Sequence, residues 1–268
     1  MDATFKLPGR APLLVKGWGN FQMELVAALA GVKPVIHCWV SEEDETYLQG
    51  LCKAIGFKHL IYTRDGGGSQ RLGAMVGKNM KDLEACAAVW NRPASNPGVN
   101  LGYPECCSKF YCDSYGDPSS PIDCVQHSLN NTPGKGPLPF LLNDVFYMYS
   151  RKGHPDDNAR RQKLYELNRG LPLDTLNVIG WHPCSYRCQE SLKRAKKIFA
   201  TLKKVWPEHA RLLEAALRGR IYFWDWWKFA VVRDGRVQGP FAPVDQADVE
   251  ALNAGRKPSG EFSVLEFA

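Results

Sequence analysis

The chain has 268 residues, of which 44% are hydrophobic and 23% charged, and a formal net charge of +6. That length buries a sizeable core without disulfide or metal staples, and the composition excludes wholesale disorder. The opening Met1-Asp2-Ala3-Thr4-Phe5-Lys6 lacks the basic and apolar regions of a secretory signal, and no apolar run approaches a membrane span. The expectation is a cytoplasmic protein with no membrane partner. The mild positive charge fits an anionic ligand, a nucleic acid or neither.

In chain order, the pattern predicts a short apolar helix over Phe21 to Ala30, a strand over Pro34 to Val40, an amphipathic helix over Glu42 to Ile55 and a strand over Lys58 to Thr63. Ser41 is placed to cap the second helix, Glu42, Glu43, Asp44 and Glu45 suit its first turn, and Gly56 supplies a stop. Arg64-Asp65-Gly66-Gly67-Gly68-Ser69 follows as a loop, then a helix over Gln70 to Trp90. Residues Asn91 to Asn100 read as a linker, and Asp113 to Pro139 as a long irregular stretch. Helices are predicted over Phe140 to Arg151, Asp157 to Asn168 and Cys184 to Val205. Phe229 to Val232, Asp234-Gly235 and Arg236 to Gly239 form a hairpin signal.

Nine cysteines, an odd number without the spacing of a disulfide scaffold, point to metal or catalysis in a reducing compartment. Six fall near two segments: Leu101-Gly102-Tyr103-Pro104-Glu105-Cys106-Cys107-Ser108-Lys109-Phe110-Tyr111-Cys112 with Cys124 beyond it, and Gly180-Trp181-His182-Pro183-Cys184-Ser185-Tyr186-Arg187-Cys188. In each, proline sits where a helix begins and cysteines follow in the first turn, where the helix dipole favours the thiolate that binds metal. Cys184 and Cys188, four apart on a helix, would share one face with Cβ atoms about 5 to 6 Å apart, a spacing suited to neighbouring irons. Neighbouring Cβ vectors diverge on a helix, so one of Cys106 and Cys107 is expected to ligate, Cys106 by a margin. The expected metal set is Cys106, Cys184 and Cys188, with Cys107, Cys112 or Cys124 for a fourth place. Three thiolates on a [4Fe-4S] cluster leave one iron open to substrate. Zinc is the alternative, since Cys-x3-Cys departs from the usual Cys-x2-Cys knuckle. Cys38, Cys52 and Cys86, isolated on apolar faces, read as packing residues.

The paired Gly102-Tyr103-Pro104-Glu105-Cys106-Cys107 and His182-Pro183-Cys184-Ser185-Tyr186-Arg187-Cys188 segments resemble the Gly-Tyr-Pro-x-Cys-Cys and His-x-Pro-Cys-Ser-x-x-Cys segments of the DUF483-like group of prokaryotic proteins of unknown function. The likeness covers roughly Leu101 to Ser191. It implies cysteine-bound metal and specifies no reaction.

Around the cysteines, His182 suits a ligand, a proton donor or a partner to a sulfur, Ser185 a hydrogen bond and Arg187 an anionic substrate. Tyr103 and Asn143 are further candidates for the same pocket. The predicted long helix places Leu192, Ala195, Ile198, Phe199, Leu202 and Val205 on one face and Lys193, Arg194, Lys196, Lys197, Lys203 and Lys204 around the other. The aromatic run from Ile221 to Phe229 suits a core or a lid against a cluster rather than a base-stacking platform. These readings combine into an α/β or α+β fold, with an N-terminal βα layer over 1–90 and a helical cysteine-bearing region with a small C-terminal β-hairpin over 91–268, or one domain overall. The expected function is an iron-sulfur enzyme acting on a small polar or sulfur-containing molecule, with lyase, transferase and oxidoreductase chemistry all open. The alternatives are a non-catalytic iron-sulfur or zinc module docking nucleic acid or a protein, and a metal-free thiol-nucleophile enzyme.

Overall fold

A strand buried on both faces organises the N-terminal part. The computed structural model describes residues 2–64, 71–90, 96–114, 124–146, 162, 166, 173–225, 228–238 and 244–268. Strands β1 (Ala3–Phe5) and β2 (Leu13–Val15) pair antiparallel, and helix α1 (Phe21–Leu29) follows. Strands β3 (Val35–Ser41), β4 (Lys58–Arg64) and β5 (Arg71–Gly77) then form an antiparallel sheet in the order β3-β5-β4. In the central β5, Leu72, Ala74, Met75 and Val76 are all buried.

The helix predicted over Gln70 to Trp90 is therefore corrected: only α3 (Met80–Trp90) is helical, and 71–77 is strand. A strand covered on both faces reads as an unbroken apolar run, which periodicity cannot separate from a buried helix. Gly77 explains the close fit, because a Cβ there would stand 2.3 Å from the Pro34 carbonyl oxygen. Helix α2 (Glu45–Ile55) buries Leu48, Leu51, Cys52 and Ile55 at helical spacing and stops at Gly56, whose φ of 75° is the left-handed position glycine favours. It starts later than predicted, because Glu42–Asp44 form a 3-10 turn, and Ser41 makes no capping bond.

The rest of the chain supplies α4 (Glu105–Ser114), α5 (Cys124–Asn130), α6 (Gln189–Val205) and α7 (Pro207–Leu217). A second antiparallel sheet, ordered β8-β7-β6-β9, is built from β6 (Gly219–Asp225), β7 (Lys228–Arg233), β8 (Arg236–Gln238) and β9 (Ser263–Phe267), with α8 (Gln246–Asn253) between the last two. The predicted hairpin is β7-β8, turning through Asp234 at φ 49° and Gly235 at φ 73°, the backbone that a two-residue Asp-Gly turn adopts. It is one corner of a larger sheet whose strands β6 and β9 the sequence reading missed. The fold is thus mixed α/β, with eight α-helices among the described residues.

Two further predictions change. Within 140–151 the described residues form only a 3-10 turn, Phe140–Leu142. The side chain of Asn143 accepts from the Val145 N–H (3.1 Å), local bonding that competes with a helix, and donates to the distant Leu217 carbonyl (2.8 Å). The Asp65–Ser69 loop lies outside the described residues, as does the helix over 157–168 except for Gln162 and Glu166.

One hydrophobic core takes in residues from Ala3 to Phe267. Phe5 packs against Trp206 with ring centres 5.5 Å apart, and the Lys6 N–H donates to the Val205 carbonyl, tying the first strand to the end of α6. Inside, Lys33 is ion-paired with Glu24, and its ammonium lies 4.6 Å from the Tyr103 ring centre. Both side chains are buried, so removing one strands the other as an uncompensated charge. Lys33→Met is expected to lower unfolding stability by about 3 to 5 kcal/mol, and adding Glu24→Gln to recover most of that loss. Urea midpoints of the two variants check this, and equal midpoints would refute it.

Candidate metal centre

Two segments far apart in sequence converge on one point. The first enters through Gly102 at φ 85°, where a Cβ would stand 2.5 Å from the Val32 carbonyl oxygen, so this motif position requires glycine. Pro104 then opens α4, accepting from the N–H groups of Cys107 and Ser108, and places Cys106 and Cys107 in its first turn. The second segment passes Gly180, where a Cβ would collide with the Glu24 carboxylate, and turns at 184–188. There the Arg187 N–H donates to Ser185 Oγ (3.0 Å) and the Cys188 N–H to the Ser185 carbonyl.

The sulfurs of Cys106, Cys107, Cys184 and Cys188 all lie within 4.8 Å of one another, and this group can hold a metal ion. Cys106 and Cys107 are 3.8 Å apart, and each is 3.7 Å from Cys188, across 82 and 81 residues of chain. Four thiolates at ~2.3 Å from one ion make a tetrahedron with edges of about 3.8 Å, so the donor set fits such an ion in both chemistry and spacing.

Surrounding donors favour charged sulfur. The Trp181 indole N–H donates to Ser191 Oγ (3.0 Å), and the Ser191 hydroxyl lies 3.1 Å from Cys107 Sγ, to which it donates when that sulfur is a thiolate. The Cys184 N–H donates to Cys107 Sγ (3.3 Å) and the Ser191 N–H to Cys188 Sγ (3.5 Å). Without metal, the Cys107 thiol donates to Cys188 and, aided by Ser191, lowers the Cys188 pKa to about 4. Cys107 is correspondingly held protonated, raised by that same bond and by burial. Burial first, then the Cys188 charge, pushes Cys184 up to about 12.

Several sequence expectations are corrected here. Both adjacent cysteines join the group, because each Sγ lies one bond beyond its diverging Cβ and can swing back toward its neighbour. Of the three candidates for a fourth place, Cys107 joins Cys106, Cys184 and Cys188, and neither Cys112 nor Cys124 is among them. Cys184 and Cys188 do not share a helix face: α6 starts at Gln189, and Cys188 is its N-cap, its sulfur accepting from Ser191. Cys38, Cys52 and Cys86 are buried packing residues, as expected.

His182 is buried, and its Nδ1–H donates to Asp144 Oδ2 (2.7 Å), while the Tyr186 hydroxyl donates to Asp144 Oδ1 (2.7 Å). Arg187 is turned to the carbonyls of Lys135, Gly136 and Pro137, and Asn143 is committed to backbone. Ser185 shapes the 184–188 turn. The aromatic cover comes from Tyr103, Tyr111 and Trp181, which line a cavity of about 270 Å³ with Cys107, Cys112 and His182. In the aromatic run offered as a core or a lid, Ile221, Phe223 and Phe229 are buried in the core, Trp226 and Trp227 lie outside the described residues, and Trp224 bonds the Ser259 carbonyl beside a different cavity. Sequence reasoning missed Asp144, Trp181 and Ser191. Only Ser191 had a signal, as the third residue after a capping Cys188.

On α6, Lys193, Lys196, Lys197, Lys203 and Lys204 are exposed, whereas Arg194 is drawn in to the Gly102 carbonyl. No helix among the described residues is long and apolar enough to cross a membrane. No family model, curated protein or solved structure matches the chain.

Thiols must lose protons to bind metal. Cys188 arrives deprotonated near neutrality, whereas Cys107 and Cys184 do not. Affinity for zinc is therefore expected to rise with pH, by at least about 100-fold per unit near pH 7, since two or more protons leave. Ser191→Ala is expected to weaken zinc binding by about 10- to 100-fold through loss of the sulfur-directed hydroxyl. Competition titrations with a chromophoric chelator at several pH values measure both effects.

Proposed function

We propose that this chain is a metalloprotein that holds one divalent ion, zinc in the first place, in a closed site of four thiolates from Cys106, Cys107, Cys184 and Cys188. The observation that carries the reading is the compact spacing of the sulfurs, 3.7 to 3.8 Å for three of the pairs. An iron-sulfur cluster with an open iron, which the sequence favoured, receives less support, because its thiolates sit on different irons and spread wider than ligands of one ion. A closed four-cysteine site has a structural role. When bound, the ion supplies a crosslink between the α4 segment and the start of α6. The motif likeness to the DUF483-like group is part of the same proposal, as a shared metal site.

Chemistry, on this reading, takes place beside the ion. His182 lines the 270 Å³ cavity and is anchored by Asp144, which fixes the tautomer carrying the lone pair on Nε2. A histidine so held is suited to take a proton from, or return one to, a small molecule in that cavity. A second reading rests on the exposed lysines of α6: together with a closed metal site, they suit docking of a polyanion such as nucleic acid.

Metal analysis of protein purified without added metal, combined with acid-labile sulfide determination, tests the main reading. One zinc per chain and no sulfide is the expected result. Several irons per chain with matching sulfide would sink it. On chelation, thermal unfolding is expected to move several degrees lower, because the crosslink is lost.

A further inference from the structure

The cavity beside the thiolate group has walls of an unusual kind. Trp90, Tyr103, Tyr111 and Trp181 line it with His182, and among the described residues that line it there is no Asp, Glu, Lys or Arg. At about 270 Å³ it falls below the roughly 300 to 1,000 Å³ typical of drug-sized ligands, which limits an occupant to one ring system. A larger cavity of about 710 Å³ adjoins it, sharing Trp90, Leu101 and Tyr103, and that one does carry charged groups, including Glu24 and Lys33.

One polar group in the smaller cavity is pre-set. Asn96 Oδ1 accepts from Ser108 Oγ (2.7 Å) and from the Gly98 N–H (3.2 Å). The backbone donor fixes which way the amide faces, so Nδ2 is left as a donor with no partner among the described residues. The arrangement depends on Gly98, since a Cβ there would stand 2.2 Å from Ser108 Oγ. Electrostatics narrow the occupant further, and this step rests on the proposed metal site: one divalent ion with four thiolates carries a net charge of −2, beside the Cys107 wall. An anion is disfavoured there. Electron-rich indole and phenol faces favour an electron-poor planar ring.

We propose that this cavity binds an uncharged nitrogen heteroaromatic ring of nucleobase size, stacked on the aromatic walls and accepting a hydrogen bond from Asn96 Nδ2 through a ring carbonyl. His182 then faces the ring as the proton-transfer group of the site.

Three probes that vary one property at a time test this: uracil, its carboxylated form orotate, and the non-planar dihydrouracil, with hypoxanthine as the two-ring counterpart. Binding to the metal-loaded full chain is followed by calorimetry and by quenching of tryptophan emission. Uracil or hypoxanthine is expected to bind, with orotate and dihydrouracil each weaker by about tenfold or more. Asn96→Leu is expected to weaken the binding ring by about tenfold, while Lys257→Gln, at an exposed position that is not among the cavity's lining residues, leaves it unchanged. Absence of binding by both rings, orotate binding as well as uracil, or an Asn96→Leu variant that is folded and binds normally would each overturn the proposal. Metal content measured on the same samples separates the two readings. Ring binding by a chain that holds no ion would remove the metal site and leave the cavity assignment standing, whereas one bound zinc with no ring binding would do the reverse.

Discussion

The meeting of four sulfurs is the constraint around which this molecule is arranged. Cys106 and Cys107 belong to the first turn of one helix, while Cys184 and Cys188 belong to a turn that ends at another, and the two stretches are joined by about 80 residues. Closing a loop of that length costs chain entropy that local contacts cannot return. An ion bound there would return it in one place, and the surrounding N–H and O–H donors favour charge on the sulfurs. The glycines at 102 and 180 fall into place as consequences: each admits a neighbouring group, the Val32 carbonyl or the Glu24 carboxylate, into the space a side chain would fill.

That same Glu24 links the centre to the N-terminal sheet. It holds Lys33, whose ammonium lies over Tyr103, which in turn lies 5.5 Å from Trp181, the indole that supports Ser191. A buried ion pair is a poor source of net stability but a good means of fixing one arrangement over others. Here the pair joins α1 and the residue two before β3 to Tyr103 and, through it, to Trp181 of the second cysteine segment.

How much of this could be read from sequence differs by element, and for physical reasons. Helix α2 was legible because its apolar residues keep helical spacing and Gly56 ends it; β7-β8 was legible because Asp234-Gly235 is a turn with a mechanism. The central strand β5 was not, since burial on both faces erases the alternation that marks a strand. Helix α6 was placed five residues too early because proline was taken as its first residue, whereas a cysteine sulfur performs the capping. At the site, the convergence of the two cysteine segments was legible from spacing and chemistry. Which of Cys107, Cys112 and Cys124 would join the other three was not, because that depends on side-chain rotation and on the path of the chain between them. Asp144 was invisible: nothing in Asn143-Asp144-Val145 announces that a distant histidine and Tyr186 will both bond its carboxylate.

Cys188 has two duties, as a member of the sulfur group and as the residue whose side chain closes the first turn of α6. The two duties are coupled through a single atom. The helix it caps is the one that displays Lys193, Lys196 and Lys197. A displacement of that sulfur would therefore be felt twice, in the sulfur group and in the first turn of α6, where the Ser191 N–H would be left without its acceptor.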